Sequence, residues 1–417
     1  MSEALAKAQG AKAASVLLQE FSSTERAAAI NSMADALLEH SDEILQANNL
    51  DIEAAKSEGL KESLIDRLAL DESRLQEIAS NMRDIARQRD LIGQVLSGST
   101  LANGIHIKKV SVPMGVLAMI YEARPNVTAD AAALAIKTAN TIVLRGGSTA
   151  KNSNLVMTKV LQDALAASGL PRECVQSIES TDRQESVELM GLSGLVDLLI
   201  PRGGAKLIQT VIEHAKVPVI ETGTGNNHVY VEKSANFEMA QDIVLNAKTQ
   251  RTGVCNAIEN LLIDRAIAKE FLALIIPTLK EREVEIVATQ EILDLVGDKD
   301  LKLASDEDFD TEYLALKISI ALVDGVDEAV SHINAHGSHH SEAIVTESYE
   351  MAQTFTNKVD AACVYVNAST RFSDGAIFGL GAEIGISTQK LHARGPMGAE
   401  ALISTKYICE GSGQIRG

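Results

Sequence analysis

The 417-residue sequence has no uninterrupted apolar run of about eighteen residues, the minimum for a membrane-spanning helix. Its N-terminus also lacks the charged-then-apolar order of a secretion signal, so we expect a cytoplasmic protein. Only four cysteines occur: Cys174, Cys255, Cys363 and Cys409. They are widely scattered and none belongs to a Cys-x-x-Cys pair. This spacing argues against a disulfide framework and against a cysteine-based zinc site.

Basic residues are also scarce, since 38 Lys and Arg face 57 Asp and Glu, for a formal net charge of −19. Such a balance disfavours nucleic acid as a partner, because binding phosphates along a backbone needs basic patches. An anionic substrate must instead be held by a local cationic site. Hydrophobic residues make up 46% of the chain and charged residues 23%, which is ordinary for a soluble enzyme, and the length predicts two domains.

The first 113 residues predict helices followed by a β-hairpin. Ser22-Ser-Thr-Glu25 has the pattern of a capping box at a helix start, and Asp71 is the expected N-cap of a later helix. Over 92–113 the pattern changes, and Asn103-Gly104 lies between two alternating runs, a strong hairpin signal. A polar hairpin of this kind can pair with another subunit. We therefore expect a homo-oligomer.

Apolar strand-like runs alternate with helical stretches from residue 115 onward. The first strands are predicted at Val116–Ile120, Thr141–Leu144, Val196–Ile200 and Val217–Ile220. This alternation predicts an α/β fold with a Rossmann-type parallel sheet, and residues 255–370 repeat it. We predict a cofactor-binding domain over 1–250 that carries the hairpin arm, a catalytic domain over 251–398 and a C-terminal oligomerisation strand over 399–417.

Cys255 is the strongest candidate nucleophile. It lies in a polar, glycine-containing, cationic run that starts at Asn246 and includes Lys248 and Arg251. Nearby cations favour the thiolate, which is the form that attacks carbonyl carbon. The alternative is a small apolar core residue, the ordinary role of a reduced cysteine.

Two glycine pairs are candidate phosphate-binding turns, although no Gly-x-Gly-x-x-Gly follows an early strand. They are Arg145-Gly146-Gly147 and Arg202-Gly203-Gly204, each placed between an apolar strand and a helix. Glycine lets a backbone approach pyrophosphate, and a helix N-terminus offers unpaired N–H groups. A single Gly-Gly is as well explained by a tight turn. Two such pairs, each preceded by Arg, favour a cofactor that carries phosphate.

Asn126 is a candidate oxyanion donor. It follows Pro125 in a loop directly after the strand Val116–Ile120, and α/β sheets bind ligands at the carboxyl ends of their strands. A side-chain amide held there can donate to a developing negative charge. The alternative is an asparagine that serves only a turn.

Several motifs together resemble the aldehyde dehydrogenase superfamily, most specifically its members that reduce glutamyl phosphate. They are the runs that begin Ile120-Tyr-Glu-Ala-Arg-Pro-Asn, Asn246-Ala-Lys-Thr-Gln-Arg, Tyr365-Val-Asn-Ala-Ser-Thr-Arg and Phe378-Gly-Leu-Gly-Ala-Glu. The resemblance covers essentially the whole chain. It implies an aldehyde dehydrogenase-like fold and NADPH-dependent reduction of L-glutamyl 5-phosphate to L-glutamate 5-semialdehyde and phosphate, a step of proline biosynthesis.

The resemblance also implies residue roles. Cys255 would form a thioester, and Asn126 would stabilise the oxyanion. Arg145 would lie near the 2′-phosphate of NADP, and Glu312 would hold the nicotinamide ribose. Glu221 matches the residue that activates water in hydrolytic relatives. Because hydrolysis would waste the intermediate, we expect Glu221 to line the cofactor site without acting as an efficient base.

The cations expected to bind the anionic groups of the substrate lie in the loops that we expect nearest to the nucleophile. They are Arg124, Lys248, Arg251, Arg371 and Arg394, of which Arg124 and Arg251 are the first choices. Each could instead be a surface charge or part of a structural ion pair. We assign no metal site, since Gly337 should end the helix of His332 and His336 before the next histidines.

Two other functions are compatible with the same motifs. One is a hydrolytic or coenzyme A-acylating aldehyde dehydrogenase. The other is a catalytically silent cofactor-binding protein that regulates a glutamate kinase. The chain carries no recognisable kinase segment, so we expect any glutamate 5-kinase partner to be a separate protein.

Overall fold

The computed structural model describes residues 2–60, 62–122 and 124–416. Contacts divide the chain into two units. Unit 1 comprises Met1–Thr222, Gly379–Gly385 and Met397–Gly417, and unit 2 comprises Gly223–Phe378 and Ile386–Pro396. The chain enters unit 2 after Thr222, before the boundary predicted at residue 250, because the next strand already belongs to the sheet of unit 2.

The helices of unit 1 begin with the N-terminal bundle. They are α1 (Glu3–Leu18), α2 (Ser23–Glu39), α3 (Ser41–Ser57), α4 (Glu62–Leu68), α5 (Glu72–Arg87), α6 (Asn126–Lys137), α7 (Lys151–Ala167), α8 (Arg183–Gly191) and α9 (Ala205–His214). The predicted capping box is present at α2: Ser22 Oγ accepts from the Glu25 N–H, and the Glu25 carboxylate accepts from the Ser22 N–H. Asp71 caps α5, as predicted.

The strands of unit 1 form two sheets. They are β1 (Val95–Thr100), β2 (His106–Pro113), β3 (Val116–Tyr121), β4 (Thr141–Gly146), β5 (Val175–Ser177), β6 (Leu198–Arg202) and the C-terminal β16 (Ile403–Glu410). A four-stranded parallel sheet has the order β5-β4-β3-β6, and β3 is buried along its whole length. The carboxyl ends of β3, β4 and β6 therefore lie side by side.

The predicted hairpin forms a separate antiparallel sheet with order β1-β2-β16. Its turn contains Gly104, whose φ of 87° lies in the left-handed region that glycine adopts without strain. Strand β1 is exposed along its whole length. The role of this sheet in oligomerisation stays a prediction.

Unit 2 is built on a seven-stranded parallel sheet with order β10-β9-β11-β8-β7-β12-β13. Its strands and the short β14–β15 pair are β7 (Asn227–Val231), β8 (Ile258–Asp264), β9 (Glu285–Ala288), β10 (Lys302–Leu303), β11 (Lys317–Val323), β12 (Ser341–Val345), β13 (Cys363–Val366), β14 (Ile386–Ser387) and β15 (Gly395–Pro396). Its helices are α10 (Phe237–Thr249), α11 (Ala268–Glu281), α12 (Gln290–Val296), α13 (Asp306–Phe309), α14 (Gly325–His336) and α15 (Tyr349–Lys358). Among the described residues, we find no helix with both the length and the apolar character that crossing a membrane requires.

The third and fourth predicted strands of unit 1 depart most from the structure. The strand predicted at Val196–Ile200 begins two residues later, at Leu198. The prediction of a strand at Val217–Ile220 is wrong, because only a single bridge joins Val219 to Leu199. Pro218 has no N–H to donate to a ladder, which limits pairing there.

Candidate active site

Cys255 lies in the loop between α10 and β8 and is half-buried. Its carbonyl oxygen accepts a 2.7 Å hydrogen bond from Asn227 Nδ2, which also donates to the Ala257 carbonyl at 2.7 Å. Gly225 packs against the same loop, and a Cβ built there would lie 1.6 Å from the Cys255 carbonyl oxygen. The backbone of Cys255 is thus held by the buried side-chain amide of Asn227, at the start of β7, and by Gly225, two residues before it.

A second set of bonds ties the loop to residues 370–373. Asn256 Nδ2 donates to the carbonyls of Ser373 at 2.8 Å and Arg371 at 3.3 Å. The Thr370 hydroxyl donates to the Asn256 carbonyl at 2.7 Å, and Arg371 Nε donates to Gln250 Oε1 at 3.1 Å. These bonds bring Arg371 into the electrostatic environment of Cys255 and Arg251.

Lys248 is a core residue. It is fully buried at the end of α10, where its ammonium forms an ion pair with Glu259 of β8 and donates to the Ile258 carbonyl at 2.8 Å. Burial raises the pKa of Glu259 to about 7, and the adjacent ammonium opposes that rise. This placement contradicts the prediction that Lys248 contacts substrate, because its charge is already satisfied in the core.

Glu312 lies beside the nucleophile loop within unit 2. Its Oε1 accepts a 2.7 Å hydrogen bond from the Gly225 N–H, so the same glycine contacts both the Cys255 backbone and this carboxylate. Arg251 is exposed, and Arg394 is ion-paired to Asp360 at 2.7 Å. Of the cations predicted in this unit, Arg251 and Arg371 therefore lie near the thiol.

Asn126 is the first residue of α6 and is half-buried. Its Nδ2 donates to Asp130 Oδ2, one turn later, at 3.1 Å. Burial raises the pKa of Asp130 to about 7, while the bond from Asn126 lowers it in part. An amide nitrogen carries two hydrogens, so the bond to Asp130 orients the group and leaves one hydrogen for another acceptor.

A small cleft opens in unit 1 between the ends of β4 and β5 and the start of α7. The residues that line it are Gly146, Gly147, Lys151, Asn154, Leu155, Ser177, Ile178, Glu179, Ser180 and Thr181. It lies at the carboxyl ends of parallel strands, where α/β sheets hold nucleotides. Lys151, the first residue of α7, is exposed and supplies the cation of this lining.

Arg145 is buried beneath this cleft. Its guanidinium donates to the carbonyls of Gly146 and of Thr181, the latter at 3.2 Å. Burial lowers its pKa, and Glu185 opposes that effect. Packing within the protein also requires glycine at position 146, because a Cβ there would lie 2.2 Å from Asn154 Nδ2. The predicted role of Arg145 in cofactor binding stays a prediction. Its Nη1 and Nη2 already donate within the protein, whereas its buried Nε has no hydrogen-bond partner among the described residues.

The second glycine pair lies at the end of β6 and the start of α9. Glu122 Oε2 accepts from the Gly204 N–H at 3.1 Å, and a Cβ on Gly203 would lie 2.7 Å from Glu122 Cδ. Arg202 is ion-paired with Glu383 at 3.6 Å. The Glu122 carboxylate thus occupies the helix terminus at which we predict a cofactor phosphate.

Glu221 and Arg124 lie in loops of unit 1. Glu221 precedes Thr222, whose hydroxyl donates to the Pro201 carbonyl at 3.0 Å and so fastens this segment to β6. Arg124 lies two residues after Glu122, and its N–H donates to the Glu122 carbonyl at 2.7 Å. The predicted roles of Glu221 and Arg124 stay predictions.

Three histidines of unit 2 cluster together: His228 is buried, and His332 and His336 are half-buried. His228 Nδ1 lies 3.0 Å from Glu342 Oε2, and the His332 ring lies 5.5 Å from the His228 ring and 4.5 Å from the His336 ring. Burial lowers the pKa of both His228 and His332 to about 3, and burial raises the pKa of Glu342 well above its ordinary value. Gly337 follows the last residue of α14, as predicted.

Comparison with known proteins agrees with this architecture. Residues 1–291 match the model of the aldehyde dehydrogenase family. The chain belongs to the aldehyde dehydrogenase family. Aldehyde dehydrogenases use NAD or NADP as hydride carrier. The match confirms the predicted fold class and establishes that the chain is an enzyme of this family.

Relatives within the aldehyde dehydrogenase family are similar over the full length. Gamma-glutamyl phosphate reductase of Clostridium botulinum (strain Alaska E43 / Type E3) is 50% identical over 416 residues and covers 100% of both chains. The enzyme of that name from Listeria innocua is 50% identical over 416 residues. The crystal structure of gamma-glutamyl phosphate reductase from Thermotoga maritima is 44% identical, with a TM-score of 0.96 over 100% of both chains. These relatives confirm the resemblance drawn from the motifs.

Proposed function

We propose that the chain reduces L-glutamyl 5-phosphate with NADPH to L-glutamate 5-semialdehyde and phosphate, through a thioester on Cys255. This reaction would be the second step of proline biosynthesis from glutamate. The observation that carries the proposal is the half-buried thiol of Cys255, which is braced by Asn227 and Gly225 in a chain with full-length reductase relatives. A thiol held by its backbone and still accessible suits covalent capture of an acyl group.

Each bond that forms or breaks in this reaction can be assigned to a residue of the chain. The Cys255 thiolate attacks the acyl carbon, so a C–S bond forms while the C–O bond to phosphate breaks and phosphate leaves with the electron pair. The oxyanion formed on the way needs fixed donors, for which we propose the Asn126 amide and the Cys255 N–H. When bound, the reduced nicotinamide cofactor supplies the hydride that converts the thioester to the aldehyde. The aldehyde forms as the sulfur departs with the C–S electrons, and the sulfur takes up a proton.

Lys151 is the residue we propose for contact with the 2′-phosphate that distinguishes NADPH from NADH. It lines the unit 1 cleft with its side chain exposed, whereas Arg145 is buried and two of its guanidinium nitrogens already donate to carbonyls. The turn at Gly146-Gly147 would receive the remaining phosphates before the start of α7. The turn at Gly203-Gly204 would do so only after the Glu122 carboxylate leaves the Gly204 N–H. Glu312 and Glu221 would line the nicotinamide side, with Glu221 not acting as an efficient base.

Substrate anions would be bound by Arg124 and Arg251, the two cations ranked first from sequence. The exposed three-stranded sheet of β1, β2 and β16 would serve subunit association. A glutamate 5-kinase, as a separate protein, would supply the acyl phosphate, which is too labile to accumulate.

The test of the proposed function is phosphate dependence. The purified chain should oxidise glutamate 5-semialdehyde with NADP only when phosphate is present. Hydrolysis would proceed without phosphate, and an acylating enzyme would require coenzyme A instead. NADP reduction that is independent of phosphate would overturn the proposal.

A further inference from the structure

Arg251 and Arg371 lie on two segments that are fastened together next to the nucleophile. Arg251 belongs to the loop that carries Cys255, and Arg371 belongs to the turn after β13. The bonds from Arg371 Nε to Gln250 and from Asn256 to the Arg371 and Ser373 carbonyls join the two segments. Both arginines therefore have their backbone positions fixed relative to Cys255.

This arrangement holds two guanidinium groups together at an energetic cost. The pKa of Arg371 is lowered, first by burial and then by Arg251, with Asp374 and Cys255 opposing the effect. The Asp374 Oδ1 accepts from the N–H groups of Ala376 and Ile377 at 2.9 and 3.3 Å, which holds this carboxylate against its own turn. Two cations beside one carboxylate leave a net positive charge, which favours the binding of an additional anion.

We propose that Arg251 and Arg371 together form the subsite for the phosphoryl group of the acyl phosphate. The inference rests on the proposed function and assigns this pair to the phosphate instead of the α-carboxylate. When the C–O bond breaks, the electron pair leaves on a phosphate whose charge the two guanidinium groups already bind. In the reverse direction the same pair places inorganic phosphate against the thioester.

Guanidinium suits this task because its planar donors match phosphate oxygens two at a time. The same two guanidinium groups would bind the phosphate both as part of the substrate and as the leaving group, because they lie near the sulfur that displaces it. A site for the α-carboxylate would have no need to adjoin the thiol, because that carboxylate lies at the opposite end of the glutamyl chain from the reacting carbon.

The experiment measures semialdehyde oxidation by Arg371→Gln, Arg371→Lys and Arg251→Gln, varying phosphate and semialdehyde separately. We expect both Gln variants to raise the KM for phosphate by about tenfold or more, with the KM for semialdehyde within about twofold of wild type. Arg371→Lys should recover part of the loss, since it keeps the charge without the paired donors. Arg265→Gln, which removes an exposed guanidinium bound to Glu291 and Asp324, is the control for net charge.

A raised KM for semialdehyde with an unchanged KM for phosphate would assign the pair to the α-carboxylate and overturn the inference. Unchanged values for both substrates would also overturn it. A second measurement uses inorganic phosphate alone as the probe. Phosphate should slow alkylation of Cys255 by iodoacetamide in wild type and in Arg265→Gln, but not in either Gln variant at Arg251 or Arg371. Because alkylation requires no turnover, it separates failure of this subsite from failure of the proposed function.

Discussion

Replacing Gly225 with alanine should displace the nucleophile loop without any change to a reacting group. The new Cβ would lie 1.6 Å from the Cys255 carbonyl oxygen and 2.6 Å from its Cα, so these atoms must move apart to at least 3.0 Å. The obstacle is backbone, which cannot swing aside as a flexible side chain would. Misplacement of a catalytic group by about 1 Å can cost about 100-fold in rate. We therefore expect kcat to fall by about 100-fold, with far smaller effects on cofactor affinity.

The assay is steady-state reduction or its reverse, together with the rate of Cys255 alkylation. Thermal unfolding shows whether the variant retains its fold. Gly191→Ala is the matched control, since a Cβ there meets nothing within 4 Å and should leave kcat unchanged. Wild-type kcat and alkylation rate in a folded Gly225→Ala variant would refute the reasoning, because the thiol would then tolerate a shift of its own backbone.

Two further predictions concern the cofactor cleft and the histidine cluster. Lys151→Ala should weaken NADPH binding by about tenfold or more and leave NADH binding nearly unchanged; equal losses would contradict the assignment. Between about pH 6 and 5 the unfolded chain protonates His228 and His332, while the fold keeps both neutral and retains one proton on Glu342. Stability should therefore fall by about 1.4 kcal/mol per pH unit as pH drops, and His332→Leu should remove that slope in urea titrations. An equally steep slope in the variant would contradict the account.

The regular elements were largely predictable because their patterns are local. Strand β3 extends the predicted Val116–Ile120 by one residue, and β4 extends the predicted Thr141–Leu144 by two residues. One strand that no local pattern predicts is β7, which begins Asn227-His228 and contains no long apolar run. Its polar residues are buried because they bond to the Cys255 loop and to Glu342. Those partners lie far away in the sequence, so no local pattern shows them.

The candidate site was predictable where a local sequence motif indicates the functional residue, as for Cys255 and Asn126. It was not predictable where a charge is satisfied by a distant partner. Lys248 looks like a cation beside a nucleophile, yet Glu259 on the adjacent strand binds it in the core. Arg371 was one of five candidate cations by sequence. The bonds that hold it near Cys255 come from Asn256 and Gln250, about 115 and 121 residues away.

The most direct test of the central claim is intact-mass and peptide mapping of the protein after exposure to glutamyl phosphate without reduced cofactor. We predict a single glutamyl adduct on the peptide that contains Cys255, labile to hydroxylamine as a thioester is, and its loss in Cys255→Ser. An adduct on Cys363, or acyl phosphate consumption by Cys255→Ser at the wild-type rate, would contradict the account.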